Sequence, residues 1–176
     1  MKTAVCVASG PSLTAEDCDR AATVADWMIA CNESWRVATW AHAIYAGDFR
    51  WWEIHHHEVP SRLERWTCSA TAAHRYRLNF HHAPQKVYNS GQRAIQLCIE
   101  KGYERIILLG YDCSVKNGTH WHGDHPKNKN PDQQAVDRWQ DHFASIDVGG
   151  VDVINCSRET ELRAFRRMTL ENAIAL

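Results

Sequence analysis

The sequence predicts an α/β protein: a single Rossmann-like three-layer domain over residues 1–176, with a mostly parallel sheet and helices on both faces. Short β-branched runs alternate with helix-like segments along the chain. The run Arg105–Leu109 (RIILL) is continuously apolar, which is typical of a strand buried on both faces of a parallel sheet. The length of 176 residues fits one domain.

Six segments have the pattern of strands, at residues 3–8, 27–31, 43–46, 65–69, 105–109 and 151–154. Helices are predicted between and after them, at residues 14–25, 49–59, 90–101, 132–147 and 160–176. Thr14 stands three residues before Asp17, which favours a capped helix start, and Gly102 is placed to end the third helix. Residues 70–84 show no clear period.

The net charge indicates which partners the protein can bind, and the cysteine content indicates its compartment. Lys and Arg total 20 against 21 Asp and Glu, a formal charge of −1, which argues against duplex nucleic acid or a membrane as partner. Seven cysteines without a CxxC pair indicate reduced thiols, and we therefore expect a cytoplasmic protein. Eight tryptophans in so short a chain leave room for a self-association surface, so a homo-oligomer is one expectation.

Small polar residues follow the predicted strands, and in parallel sheets ligands bind at this edge. The loop at residues 9–12 (SGPS) offers backbone N–H groups, hydroxyls and a helix start, which suit a phosphate; a plain strand-to-helix turn is the alternative. Neither GxGxxG nor GxxxxGK[ST] occurs, which disfavours a dehydrogenase or a P-loop nucleotidase. The candidate nucleotide-binding residues are Ser9, Gly10, Pro11, Ser12, Asn32, Asp48, Ser90, Gly91, Asp112, Asn155 and Ser157.

A long polar loop at residues 113–131 carries the densest group of chemically active side chains, and a loop of this length in a compact domain is usually functional. Its candidate catalytic residues are His120, His122 and His125. An acid–base or phosphate-binding role suits imidazole near neutral pH. A zinc or manganese site completed by Asp124 or His125 is the second interpretation, and a solvated polar loop is the third.

Other residues are open to more than one interpretation. Asp112, at the end of the most buried predicted strand, can bind a metal, orient a histidine or cap a turn. The run at residues 55–57 (HHH) cannot place three side chains on one helical face, which favours a surface position. Aromatic rings can stack a base or a sugar, although most buried tryptophans belong to a core. The tryptophans considered for stacking are Trp51, Trp52, Trp121 and Trp139.

Several motifs follow one another in order: GPSL at residues 10–13, CN at 31–32, the block SGQRAIQLCIEKGYERIILLGYDCS at 90–114, the histidine loop, and NCS at 155–157. This order resembles glycosyltransferase family 42, the bacterial sialyltransferases, and the related family that includes archaeal-type 6-hydroxymethyl-dihydropterin pyrophosphokinases. The resemblance implies a loop histidine as general base. It also implies contacts to a nucleotide and its phosphate from Gly10, Ser12, Asn32, Ser90 and Gly91. The compact form looks like that of phage-encoded proteins, which extends the expected location to a phage-infected bacterial cytoplasm.

Three functions follow as hypotheses. The first is a nucleotide-sugar-dependent glycosyltransferase that uses a loop histidine as general base. The second is pyrophosphoryl transfer from ATP, which needs Mg²⁺ held by carboxylates such as Asp48 and Asp112. The third is a non-catalytic phage protein that sequesters a nucleotide. The partner in each case is a nucleotide or nucleotide-sugar, and Mg²⁺ or Mn²⁺ is the candidate cofactor.

Overall fold

The computed structural model describes residues 1–82, 88–124 and 130–176, and the strands in these ranges form one sheet. The strands are β1 (Thr3–Val7), β2 (Trp27–Cys31), β3 (Ala43–Tyr45), β4 (Glu64–Thr67), β5 (Asn79–Phe80), β6 (Arg105–Leu109), β7 (Asp152–Asn155) and β8 (Arg166–Arg167). They are all parallel, in the order β5-β4-β3-β2-β1-β6-β7-β8. The fold is therefore the Rossmann-like α/β architecture that the sequence predicts.

The α-helices of the described ranges are α1 (Ala15–Ala22), α2 (Phe49–His55), α3 (Ala70–Tyr76), α4 (Ser90–Glu100), α5 (Gln133–Ala144) and α6 (Leu170–Ile174), with a 3₁₀ helix at Asn32–Arg36. Each α-helix begins at a polar residue whose side chain accepts a backbone N–H group of the first turn, which satisfies a donor that the helix itself cannot pair. These capping residues are Thr14, Asp48, Ser69, Asn89, Asp132 and Thr169.

Helices cover both faces of the sheet, as the alternation along β1 shows. Val5 and Val7 point into a core shared with α1, α2, α3 and α6. Ala4 and Cys6 point into a second core shared with α4 and α5. Because both faces are covered, β1 and β6 are buried at every position rather than at every second one, and they are apolar except at their first residues, Thr3 and Arg105.

The strand order creates a crevice at one place along the carboxyl edge. The chain runs outward from β1 to β5, and α4 then leads it back to β6 on the other side of β1. The connections after β1 and β6 therefore leave the sheet in opposite directions. Such a switch point is where open parallel sheets bind their ligands.

The C-terminal segment corrects one expectation. A helix over residues 160–176 is wrong, because residues 166–167 form β8 beside β7 and only Leu170–Ile174 is helical. The side chain of Thr160 accepts a hydrogen bond from Asn155 and donates one to the Tyr111 carbonyl, which holds the segment extended. Pairing with the sheet outweighs the local preference for a helix here.

Several boundaries also differ from the sequence predictions. The unassigned stretch contains α3 and β5; Ala72 is the buried residue of α3, so that helix has no apolar stripe that a periodicity could reveal. The first two predicted helices end earlier than expected, at Ala22 and His55. Within the described ranges, no helix has the length and apolar character needed to cross a bilayer.

Candidate functional site

A cleft of about 130 Å³ lies at the switch point between the carboxyl ends of β1, β2 and β6. The first turn of α4 and the side of α5 form its walls, and two residues of the histidine loop reach over it. The residues that line it are Ala8, Ser9, Gly10, Cys31, Asn32, Asn89, Ser90, Gly91, Gly110, Tyr111, Asp112, Cys113, Ser114, Thr119, His120, Trp139 and Phe143.

The floor of the cleft depends on two glycines where the β1 and β6 loops touch. The N–H of Gly10 donates to the carbonyl of Gly110 at 2.8 Å. A Cβ on Gly10 would lie 2.3 Å from Oδ1 of Asp112, and Gly110 has a positive φ of 69° that L side chains rarely adopt. The two backbones can approach this closely only without side chains.

Asp112 holds the loop after β1 in place. Its Oδ2 accepts the Ser12 N–H at 2.8 Å, and its Oδ1 accepts the Ser12 hydroxyl at 2.7 Å. Burial raises the pKa of the Asp112 carboxyl, and the two hydrogen bonds from Ser12 offset part of that rise. Asp112 therefore braces the loop after β1, a role that differs from the metal-binding, histidine-orienting and turn-capping roles considered from the sequence.

His120 is fixed over the end of β1 by two contacts. Its Nδ1 lies 2.8 Å from the hydroxyl oxygen of Ser9, within hydrogen-bond distance, and the imidazole tautomer decides which atom donates. The next residue, Trp121, donates its backbone N–H to the Ser9 carbonyl at 2.9 Å. The imidazole of His122 stacks on that of His120, with ring centroids 5.1 Å apart and planes 10° from parallel. Ser9 therefore binds both the ring of His120 and the backbone of Trp121, and it fixes this part of the loop.

The opposite wall is the N-terminus of α4. Asn89 caps it by accepting the Gln92 N–H at 2.8 Å, and the N–H groups of Ser90 and Gly91 come too early in the helix to have intrahelical acceptors. The Ser90 hydroxyl accepts the Gly47 N–H at 3.1 Å and donates to Oδ1 of Asn32 at 3.3 Å. This wall presents backbone N–H groups and a helix dipole, which favour an anionic group.

An aromatic surface completes the cleft. Trp139 and Phe143 lie one helical turn apart on α5 and both line it, and Phe143 meets Tyr111 edge to face at 5.8 Å. Burial raises the pKa of the Cys113 thiol to about 12, and the pKa of the Cys31 thiol is also raised by burial. Both thiols are therefore protonated at neutral pH, and neither is suited to act as a nucleophile.

The predicted site residues divide into two groups. Those that the structure brings together in the cleft are Ser9, Gly10, Asn32, Ser90, Gly91, Asp112 and His120. Those that lie outside its lining are Pro11, Ser12, Asp48, Asn155, Ser157 and His122. The remaining candidate, His125, falls outside the described residues.

The residues outside the lining have other contacts. Ser12 holds Asp112, as described above, and Asp48 caps α2. The Asn155 side chain accepts the Ser157 N–H, and the Ser157 hydroxyl accepts the Tyr111 N–H at 2.7 Å. Asn155 and Ser157 therefore fix the backbone of Tyr111, directly after β6.

Sequence reasoning missed several lining residues. Thr119 and Phe143 were not among the candidates, and the only signal for Phe143 is its four-residue spacing from Trp139 on one helix. The other tryptophans considered for stacking lie elsewhere: Trp51 and Trp52 belong to α2 and are buried in the core, and Trp121 packs against that core.

A metal centre finds no support among the described side chains. Over residues 1–82, 88–124 and 130–176, no three His, Cys, Asp or Glu side chains are grouped so that they could hold an ion. Both carboxylate oxygens of Asp112 accept hydrogen bonds from Ser12, and Asp48 does not line the cleft. The two carboxylates proposed for Mg²⁺ therefore do not form one site.

The chain was also compared with known proteins. No protein-family model matches it, and no curated protein matches it.

Proposed function

We propose that the cleft binds a nucleotide-sugar and that the protein transfers the sugar to an acceptor hydroxyl, with His120 as general base. The observation that carries this proposal is the Ser9–His120 hydrogen bond, which holds an imidazole over the cleft that also contains the α4 N-terminus. A base and an anion site in one cleft are the two elements that such a transfer needs.

The leaving group would be held at α4. In the transfer, the bond between the anomeric carbon and the phosphate oxygen breaks, and a bond from that carbon to the acceptor oxygen forms. The acceptor proton passes to His120, and the negative charge stays on the departing nucleoside phosphate. The N–H groups of Ser90 and Gly91 and the helix dipole stabilise that charge.

The nucleobase would lie against α5. Trp139 is half-buried and lines the cleft beside Phe143, so its indole ring can offer a face to a planar base. Stacking of this kind tolerates different bases and contributes about 1 to 3 kcal/mol per base. This arrangement supports nucleotide binding in general and leaves the choice of base to experiment.

A thermal-shift panel tests the binding half of the proposal. The ligands are CMP, UDP, GDP and ATP, CMP-sialic acid and UDP-sugars, and cyclic dinucleotides, each with and without Mg²⁺ or Mn²⁺. A ligand that binds the folded state raises the melting temperature. We expect a shift with a nucleotide-sugar. A shift only with ATP and Mg²⁺ would instead favour pyrophosphoryl transfer, and no shift with any ligand would contradict the proposal.

Turnover tests the catalytic half. With the donor that binds, we expect His120→Ala to lower kcat at least about 100-fold, as loss of a general base does. His74→Ala is the matched control, because His74 is exposed on α3 and does not line the cleft. Binding without turnover in the wild type, or equal activity in the two variants, would refute the assignment of His120.

A further inference from the structure

Positive charge is concentrated at the β5 edge of the sheet, although the whole chain has a formal charge of −1. No Asp or Glu occurs between Glu64 and Glu100, a stretch that carries five Lys and Arg residues. Among its described residues, the exposed cations are Arg75 and Arg77. Both lie at the end of α3, the helix that connects β4 to β5. The balanced composition therefore conceals a local excess of positive charge.

No carboxylate of the described ranges neutralises these two arginines. Their side chains border a shallow depression on α3, whose lining includes Ala70 and Thr71 and no acidic residue. Exposed arginines elsewhere do pair with carboxylates, as Arg36, Arg50 and Arg166 show. The guanidinium groups on α3 are therefore available to an anion from outside the chain, and the planar guanidinium suits the oxygens of a phosphate.

The helix dipole offers one explanation for the charges. Positive side chains at the end of a helix interact favourably with its dipole, and both arginines lie there. Arg77, however, takes the left-handed conformation at the C-cap, with a φ of 54°, where glycine is the usual residue. Neither effect calls for an exposed aromatic ring beside the arginines.

Such a ring is present in β5. Phe80 is 46% exposed, and the exposed His82 meets it edge to face, with ring centroids 6.0 Å apart. Phe80 follows Arg77 by three positions, so their Cα atoms are at most about 11 Å apart. The guanidinium groups and the aromatic ring therefore lie within reach of one short ligand.

Phe80 lies on the same side of the sheet as α3. It is paired with Thr67, and Thr67 points to the same face as Arg65, two positions earlier. Arg65 is paired with Ile44, which is buried in the core that α3 shares. The arginines and the phenylalanine are therefore presented on one side of the sheet edge.

We propose that this basic edge, which consists of Arg75, Arg77, Phe80 and His82, binds single-stranded nucleic acid. The guanidinium groups contact backbone phosphates, and an unpaired base stacks on the ring of Phe80. A duplex offers the same phosphates but keeps its bases stacked inside, so the aromatic ring favours a single strand. None of the four residues lines the cleft, so the inference does not depend on the proposed function.

Fluorescence anisotropy with a labelled oligothymidylate of about 12 nucleotides, measured over a series of salt concentrations, tests the phosphate contacts. Two contacts predict a slope of about −1.4 in a plot of log K against log salt, which amounts to about 25-fold in affinity between 1 M and 0.1 M salt. We expect Arg75→Gln/Arg77→Gln to remove this slope and Arg75→Lys/Arg77→Lys to retain most of it.

The matched control is Arg138→Gln/Arg163→Gln. Both of these arginines are exposed, one on α5 and one beyond it, and their replacement changes the net charge by the same amount. The control should keep the slope of the wild type. An equal loss of slope in the two pairs would overturn the proposal, because net charge and not the basic edge would then govern binding.

The aromatic contact has a separate signature. Phe80→Ala should lower the affinity for the oligothymidylate at least about 5-fold, the lower limit for the loss of one stacked base, and leave the salt slope unchanged. A duplex of the same length should bind more weakly than the single strand. Equal or tighter binding of the duplex, or full affinity in Phe80→Ala, would refute stacking and with it the preference for a single strand.

Two further results would overturn the proposal. If the arginines serve only the dipole of α3, the wild type will not bind the oligothymidylate even at low salt. Binding to vesicles of phosphatidylserine and phosphatidylcholine, without binding to the oligothymidylate, would assign the basic edge to an anionic membrane instead. Melting temperatures show whether each variant is folded; if the glutamine pair is not, Phe80→Ala and the comparison with the duplex still decide.

Discussion

Replacement of Gly10 by alanine tests the packing that forms the cleft floor. The added Cβ would lie 2.3 Å from Oδ1 and 2.5 Å from Cγ of Asp112, and 2.6 Å from the Gly110 carbonyl oxygen. The backbone at Gly10 does not need the left-handed region, so the conflict is one of space alone. The carboxylate can move away only if it gives up the N–H and hydroxyl of Ser12.

The cost follows from these contacts. Overpacking costs about 1 to 3 kcal/mol, and the loss of a hydrogen bond to a charged acceptor costs about 1.5 to 3 kcal/mol. Because the loop can relax in part, we expect Gly10→Ala to lower the free energy of unfolding by about 3 to 4 kcal/mol. In a domain of this size, the melting temperature then falls by about 6 to 16 °C.

Urea unfolding followed by tryptophan fluorescence measures the loss. Gly150→Ala is the matched control, because a Cβ there meets nothing within 4 Å. In an Asp112→Ala background, Gly10→Ala should cost less, since two of the three obstructing atoms are gone. If Gly10→Ala changes stability by no more than about 0.5 kcal/mol, as a surface substitution does, the close approach is not a constraint.

Three further outcomes are expected. Burial raises the pKa of the Asp17 carboxyl. Hydrogen bonds from Arg158 and Thr14 and the positive charges of Arg158 and Arg20 outweigh this effect, so the pKa is lowered. A lowered carboxyl pKa adds stability above the unfolded value of about 3.9 that is lost as pH falls. Asp17→Asn should therefore be less stable at pH 7 and lose less stability below about pH 4, as urea midpoints will show; parallel curves would contradict this. Ser90→Ala leaves the buried Gly47 N–H without its acceptor, so calorimetry should show a loss of about 1 to 3 kcal/mol, together with weaker nucleotide binding; unchanged affinity would place the ligand elsewhere. Trp139→Ala should weaken nucleotide binding by about 1 to 3 kcal/mol in titration calorimetry, whereas equal affinity would exclude stacking on that ring.

The sequence predicts the part of this molecule that depends on local pattern. The apolar run at β6 and the polar residues after each strand are enough to predict the parallel sheet and the edge where Ser9, Asn32 and Ser90 meet. The carboxyl ends of parallel strands lie at one edge of the sheet, so this prediction needs no information about the distances between the residues. It holds here because the strands are all parallel.

The rest depends on contacts between residues far apart in the chain. Ser12 and Asp112 are separated by 100 positions, and nothing local in either segment indicates that they bind each other. The C-terminal error has the same cause, because β8 exists through its pairing with β7 and not through its own propensity.

The two edges of the sheet bear on how the protein behaves in concentrated solution. Among the described residues, the edge strands are β5 and β8, each only two residues long, and β8 consists of two arginines. One of them, Arg166, is tied by two hydrogen bonds to Asp152 of the neighbouring strand. Short, charged edges are poor templates for the addition of another chain and protect against aggregation. Any homo-oligomer of this protein would therefore be built from side-chain surfaces and not by extension of the sheet.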